Sequence, residues 1–143
     1  MDLQFLKEFR NRHNPFARQL GIIIEEISPG HAKVTKTVTA EDLNPLQLAH
    51  GGVYFSMADT ACGSAAASHG FQAVTLSANY NYFRSAQVGD FLTAEARESK
   101  SGRTICVYEV TITDQDGQLL GSGTFTFYLL DKKLEVGEAS TSG

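Results

Sequence analysis

Residues 50–68 run HGGVYFSMADTACGSAAAS, from His50 to Ser68. Val53, Met57, Ala61 and Ala65 fall in one i, i+4 row, so a long helix is expected from Val53 to Ser68. Its second half, Ala61 to Ala67, carries only small side chains, which lets the helix backbone lie close to whatever it packs on. A curved sheet is the natural partner.

Upstream of this helix, Ile22 to Ile27 and Ala32 to Ala40 read as two strands joined by the turn Ser28-Pro29-Gly30. The second alternates Ala32, Val34 and Val38 against Lys33, Thr35, Thr37 and Thr39, and Lys36 is the one charged residue on its apolar side. Leu3, Leu6 and Phe9 recur at helical spacing, Asn14-Pro15 reads as N-cap and first position of a second short helix, and Gly21 as its stop. Downstream come four strand-like runs: Val74 to Phe83, Phe91 to Glu98, Thr104 to Thr113 and Leu119 to Leu130, with Asp116-Gly117 as the turn of the last hairpin. Helices and strands do not alternate, which excludes a parallel α/β sheet. The fold class is α+β, an antiparallel sheet wrapped around one long central helix. The expected division is a helical segment over 1–20, one main domain over 21–130 and a tail over 131–143. The tail's end, Glu138 to Gly143, is small and polar and is expected to be disordered.

At 143 residues, 42% apolar and 20% charged, the chain has the length and composition of one globular domain. A net charge of −4 argues against a nucleic-acid surface, yet local cations and backbone N–H groups can still hold a phosphorylated ligand. Cys62 and Cys106 form neither a disulfide framework nor a metal-ligand spacing, so a reducing, cytoplasmic setting is expected. No secretory signal is read at the N-terminus, and no run approaches the ~20 apolar residues of a membrane span.

Asp59 is the anomaly in this pattern. Between Leu43 and Phe83 it is the only Asp, Glu, Lys or Arg, and it sits within a helix of apolar and small residues. A carboxylate there costs free energy unless something pairs with it or uses it, and use outweighs the alternative of a solvated outer face. At the helix start, His50-Gly51-Gly52 leaves backbone N–H groups uncovered by side chains. First-turn donors have no intrahelical acceptor and, with the positive end of the dipole, suit a developing oxyanion. Gly51 and Asp59 are eight residues apart, roughly 12 Å of helix rise. Both cannot touch one carbonyl carbon. If they serve one reaction, Asp59 must face the helix start of a second copy, which makes a two-fold dimer obligatory.

The remaining candidates have plain alternatives. Asn44-Pro45 is a turn whose amide could also donate to a carbonyl oxygen, Thr75 is a strand residue whose hydroxyl could orient a water, and His50 is a proton carrier or a shaper of the turn. Gly121-Ser122-Gly123 is not a nucleophile elbow, since it leads into a strand. The four histidines lack ligand spacing, so no metal and no cofactor are expected. Cys62 has the small apolar neighbours of a buried thiol rather than those of a nucleophile.

Taken together, Asn44, His50-Gly51-Gly52 and Met57-Ala58-Asp59-Thr60-Ala61 resemble the PaaI-type hot-dog thioesterases of phenylacetate degradation. Phe83-Arg84-Ser85-Ala86, Gly89-Asp90, Gly102-Arg103-Thr104 and Asp116-Gly117 extend the match over roughly Leu20 to Leu129, with Ser85 departing from a common proline. The resemblance implies a hot-dog fold, acyl-CoA as substrate and a tetramer of two dimers. It implies that Gly51 N–H and Asn44 polarise the thioester carbonyl, while Asp59 of the facing subunit, assisted by Thr75, attacks or activates water. Gly52, Arg84, Gly102 and Arg103 would contact the substrate and its CoA portion. Aryl groups such as phenylacetyl or hydroxyphenylacetyl, or medium-chain acyl groups, are the implied acyl class, with Tyr54, Phe55, Phe71 and first-helix residues as pocket candidates. Two other readings carry different expectations: a hot-dog hydratase or dehydratase using His50 and Asp59, and an acyl-CoA-binding module without catalysis.

Overall fold

The structure, a computed structural model, describes residues 1–136. Two short helices, α1 (Leu3–His13) and α2 (Pro15–Gln19), precede strands β1 (Ile23–Ser28) and β2 (His31–Thr37). A 3-10 turn at Ala40–Asp42 leads to the long helix α3 (Gly51–Ala67). Strands β3 (Phe71–Tyr82), β4 (Phe91–Ser101), β5 (Ile105–Thr113) and β6 (Leu119–Lys133) follow. The six strands form one sheet in the order β1-β2-β4-β5-β6-β3, with every neighbouring pair antiparallel. This is the expected hot-dog architecture, with α3 lying across the concave face of the sheet.

Local chemistry accounts for the elements. Asp2 caps α1 by accepting from Gln4 and Phe5 N–H, and Asn14 caps α2 by accepting from Ala17 N–H. On α3, Met57, Ala58, Ala61, Cys62, Ala65 and Ala66 are wholly buried. They meet Ala32, Val34, Ala94, Ala96, Val110 and Ile112 of the sheet in one core. Small residues on both surfaces bring helix and sheet close, while Met57, Leu92, Tyr108 and Phe125 supply the volume. Each such large side chain contributes about 1.5–3 kcal/mol on burial. The hydroxyls on α3 bond back to their own helix, Thr60 to Ser56 carbonyl and Ser64 to Thr60 carbonyl, both at 2.7 Å.

The Gly121-Ser122-Gly123 stretch has a packing role. A Cβ at Gly123 would stand 2.2 Å from the Asn79 carbonyl oxygen, and one at Gly121 2.4 Å from that of Asn81. Only glycine lets β3 approach β6 this closely, with the Tyr80 ring seated over the gap.

Several boundaries differ from the sequence reading. The helix begins at Gly51 rather than Val53, because the His50 side chain caps it. β2 stops at Thr37, and Val38 instead exchanges backbone bonds with Gly89 and Asp90. β3 begins at Phe71, and β6 runs to Lys133, past the expected end at Leu130. Leu134 N–H then donates to Gly70 carbonyl, so the first part of the expected tail is tied to the domain. Residues 137–143, where disorder is expected, lie outside the described residues. No helix among the described residues is long and apolar enough to cross a membrane.

Candidate active site

The segment before α3 is held from below by a buried ion pair. Lys36 Nζ stands 2.9 Å from Asp42 Oδ2, with side chains only 3% and 6% exposed, and also donates to the Leu20 carbonyl. Asp42 Oδ2 further accepts from Thr39 N–H at 2.7 Å and Thr39 hydroxyl at 3.1 Å. Burial alone would raise the Asp42 carboxyl, but the Thr39 and Lys36 donors outweigh it and hold the group below its ordinary value. Lys36, the off-pattern residue of β2, is thus a core cation with a partner. Asp42 returns the constraint to the helix start, since its backbone carbonyl accepts His50 N–H at 2.8 Å.

His50 then sorts the donors of the first turn. Its Nδ1 accepts Gly52 N–H at 2.8 Å and its carbonyl accepts Val53 N–H at 2.9 Å. Gly51 N–H is left with no acceptor among the described residues. Asn44 lies beside it. The Asn44 Oδ1 accepts from Leu46 and Leu48 N–H at 2.9 and 3.2 Å, which closes the turn and leaves the amide nitrogen as a donor. Asn44, Gly51, Tyr54, Tyr82 and Arg84 line one cleft of about 240 Å³. Tyr82 hydroxyl donates to Gly51 carbonyl at 3.2 Å, and Tyr54 hydroxyl accepts Ala86 N–H at 2.8 Å, pinning the helix start to the segment after β3.

Asp59 sits elsewhere, in a cleft of about 540 Å³ with Arg10, Phe71, Thr75 and Phe127. Thr75 hydroxyl donates to Asp59 Oδ1 at 2.7 Å. The β3–β6 register shifts between Thr75 and Ser77, a bulge of the kind that re-aims a strand side chain beside a site. Oδ2 has no donor among the described residues, which leaves one oxygen oriented and the other open. Cys62, one turn on, is buried, and burial pushes its thiol up, away from a nucleophile's range.

The structure therefore brings together Asn44, His50, Gly51, Gly52 and Arg84 at one end of α3, and Asp59 with Thr75 further along it. Gly102 and Arg103 form a third region with His69, Phe71 and Thr104, in a cleft of about 680 Å³ adjoining that of Asp59 through Phe71. Arg84 and Arg103 do not share a cleft within one chain. Of the pocket candidates, Phe71 lines the Asp59 cleft, whereas Phe55 packs on Phe125 with ring centroids 5.1 Å apart. Arg10 is the first-helix residue that enters this cleft, and the sequence reading did not single it out by number. It lies four positions after buried Leu6, on the apolar side of α1, and that misplacement was its signal.

Among the described residues, His69, Glu98 and Cys106 could offer ligand atoms to a metal, all within 4.8 Å of one another. Glu98 Oε2 is already engaged by His69 Nε2 at 2.5 Å and by Tyr108 hydroxyl at 2.8 Å, so the cluster closes on itself by hydrogen bonding.

A model of the thioesterase superfamily matches residues 46–120. The acyl-coenzyme A thioesterase PaaI of Escherichia coli is 40% identical over 114 residues, covering 76% of this chain and 81% of that protein. The structure of the E. coli PaaI protein superposes with a TM-score of 0.82 at 34% identity, over 90% of this chain and 96% of that one. A Streptococcus mutans protein solved bound to acetyl CoA superposes with a TM-score of 0.76 at 36% identity, over 79% and 91% of the two chains. Fold and similarity converge: the chain belongs to the thioesterase superfamily, in its PaaI-type hot-dog branch.

Proposed function

We propose that the protein hydrolyses acyl-CoA thioesters to the free acid and CoA, at sites built jointly by two chains. The observation that carries this is the Asp59 carboxylate, held at one oxygen by Thr75 and open at the other, on a helix whose start presents an unpaired Gly51 N–H. Gly51 N–H and the Asn44 amide take the thioester oxygen of a substrate whose carbonyl carbon faces Asp59 of the opposite chain. Asp59 removes a proton from water as it attacks, or itself attacks to form an anhydride that water then hydrolyses to the free acid. The carbonyl is restored as the C–S bond breaks, and CoA leaves as thiolate and is protonated. An oxyanion donor contributes ~10²–10³ in rate and a general base ~10²–10⁴. This chemistry requires neither metal nor cofactor.

An exposed sheet edge supports this assembly. β3 is an outer strand, and its Val74 and Leu76 are 50% and 59% exposed. Pairing two such edges lays the α3 helices antiparallel and brings each Gly51 toward the other chain's Asp59. Dimers of this kind pair further into a tetramer. Arg84, Gly102 and Arg103 hold the CoA portion, Gly52 and His50 shape the helix start, and the cell compartment is the cytoplasm. Aryl groups such as phenylacetyl and hydroxyphenylacetyl, or medium-chain acyl groups, are the acyl class read from the E. coli acyl-coenzyme A thioesterase and its phenylacetic acid degradation operon. The hydratase reading is weakened because His50 Nδ1 is tied to Gly52 N–H.

Asp59→Asn is expected to lower acyl-CoA turnover by ~10²–10⁴ with an unchanged oligomer on size-exclusion chromatography. Mixing it with an Asn44→Ala chain should restore about a quarter of wild-type activity, since half the dimers then hold one intact site. Near-normal turnover of the Asp59 variant, or no recovery on mixing, would remove the proposal's basis.

A further inference from the structure

A guanidinium in the Asp59 cleft has no counterpart in the reaction as described. Arg10 reaches in from α1; its Nε is buried and no hydrogen bond from its guanidinium reaches an acceptor among the described residues. Buried polar groups are almost always paired, so an orphaned cation in a cleft calls for an acceptor beyond the described residues, and a bound ligand can supply it. Burial pulls the guanidinium below its ordinary value, and Asp59 works against that at longer range without ion-pair contact. Arg10 and Asp59 are the only charged residues lining this cleft among the described residues.

Geometry narrows the acceptor. An Nε–H and a neighbouring Nη–H present a parallel fork, which one carboxylate fills with both oxygens and a hydroxyl cannot. Nη2 lies 3.7 Å from where a Cβ on Gly63 would stand. Gly63 follows Asp59 by four residues, about 6 Å along the helix axis. Phe71 and Phe127 wall the cleft with apolar surface suited to a short chain of methylenes.

We propose that Arg10 anchors the far end of the acyl group, and that the acyl groups it selects end in a carboxylate about 6 Å from the thioester carbon. The substrates of this class are half-thioesters of dicarboxylic acids with five or six carbons. The inference rests on the thioesterase reading and, at the acyl end, sets a short carboxylate-terminated chain in place of the aryl group.

The test compares kcat/KM for glutaryl- and adipyl-CoA with pentanoyl- and hexanoyl-CoA, in the full chain and in Arg10→Met and Arg10→Lys. The wild-type protein is expected to favour the carboxylate member of each pair by at least about tenfold, and Arg10→Met to bring that ratio close to one. Arg10→Lys, which keeps the charge and loses the fork, retains part of it. Absence of a wild-type preference overturns the inference, as does a preference that survives Arg10→Met. An equal loss on both members of each pair assigns Arg10 to Asp59 or to the fold and overturns it too. Hydrolysis without preference leaves the thioesterase reading standing, whereas no hydrolysis of any acyl-CoA removes both.

Discussion

Removing either partner of the Lys36–Asp42 pair is expected to destabilise the protein unequally. Asp42→Ala leaves the Lys36 ammonium, 3% exposed, with the Leu20 carbonyl as its one remaining acceptor. Uncompensated buried charge of this kind costs about 3–5 kcal/mol. Lys36→Met leaves the Asp42 carboxylate with two of its three donors, Thr39 N–H and Thr39 hydroxyl. That change removes one charge-assisted bond, about 1.5–3 kcal/mol, and its methylenes still fill the site. The pH dependence supplies a second reading of the same pair. The folded Asp42 carboxyl titrates below its unfolded value of about 3.9, so its contribution is fully present above that value. It is lost as pH falls through the folded value. The stability gap between wild type and Lys36→Met should therefore be largest near pH 7 and narrow below about pH 4. Urea unfolding followed by circular dichroism at pH 7 and pH 3 measures both effects. Equal losses for the two variants at pH 7, or a gap that widens on acidification, would refute the reasoning.

Thr75→Val removes the hydroxyl that orients Asp59; kcat should fall by about tenfold or more while KM moves little, as steady-state rates on one acyl-CoA will show. His50→Ala deletes the side-chain cap on Gly52, with an expected stability loss of about 0.5–2 kcal/mol in chemical denaturation. The same variant frees the Gly52 N–H, so its kcat should drop less than that of Asp59→Asn; a comparable drop would mean that the imidazole takes part in the chemistry. Arg103→Ala should raise KM for CoA thioesters and leave that for the matching pantetheine thioesters unchanged, and an equal rise for both would detach Arg103 from the nucleotide end.

Much of the fold was legible because it is written in local periods. The α3 row of Val53, Met57, Ala61 and Ala65 is buried as its spacing requires, and Asp116-Gly117 turns the last hairpin. Strand order was not legible. β3 follows α3 in the chain yet pairs with β6 at the far edge of the sheet, a contact that leaves no mark on the alternation of either strand. The same holds for the site. Asn44, His50, Gly51 and Asp59 stand out by type and spacing, and Thr75 lies where a hydroxyl was wanted. Asp42 gave no signal, because its partnership with Lys36 depends on a 3-10 turn that folds the chain back over β2. Nor could spacing say that Arg84 and Arg103 line different clefts, since loop positions carry no period.

Three ionisable residues break the apolar patterning, Lys36, Asp59 and Arg10, and their fates separate structural charge from functional charge. Lys36 meets a carboxylate and a carbonyl inside the chain, so its burial is explained without a ligand. Asp59 receives a single neutral hydroxyl, which is too little to compensate a buried carboxylate but enough to aim one that opens on a cleft. Arg10 receives no hydrogen bond from the described residues. The less a misplaced charge is satisfied internally, the more of its stabilisation must come from outside the chain. The desolvated Arg10 guanidinium gains no hydrogen bond among the described residues and half-buried Asp59 gains one, so stability alone accounts for neither charge. Their presence in one cleft, on helices that otherwise bury apolar faces, is what argues that this cleft binds a polar ligand.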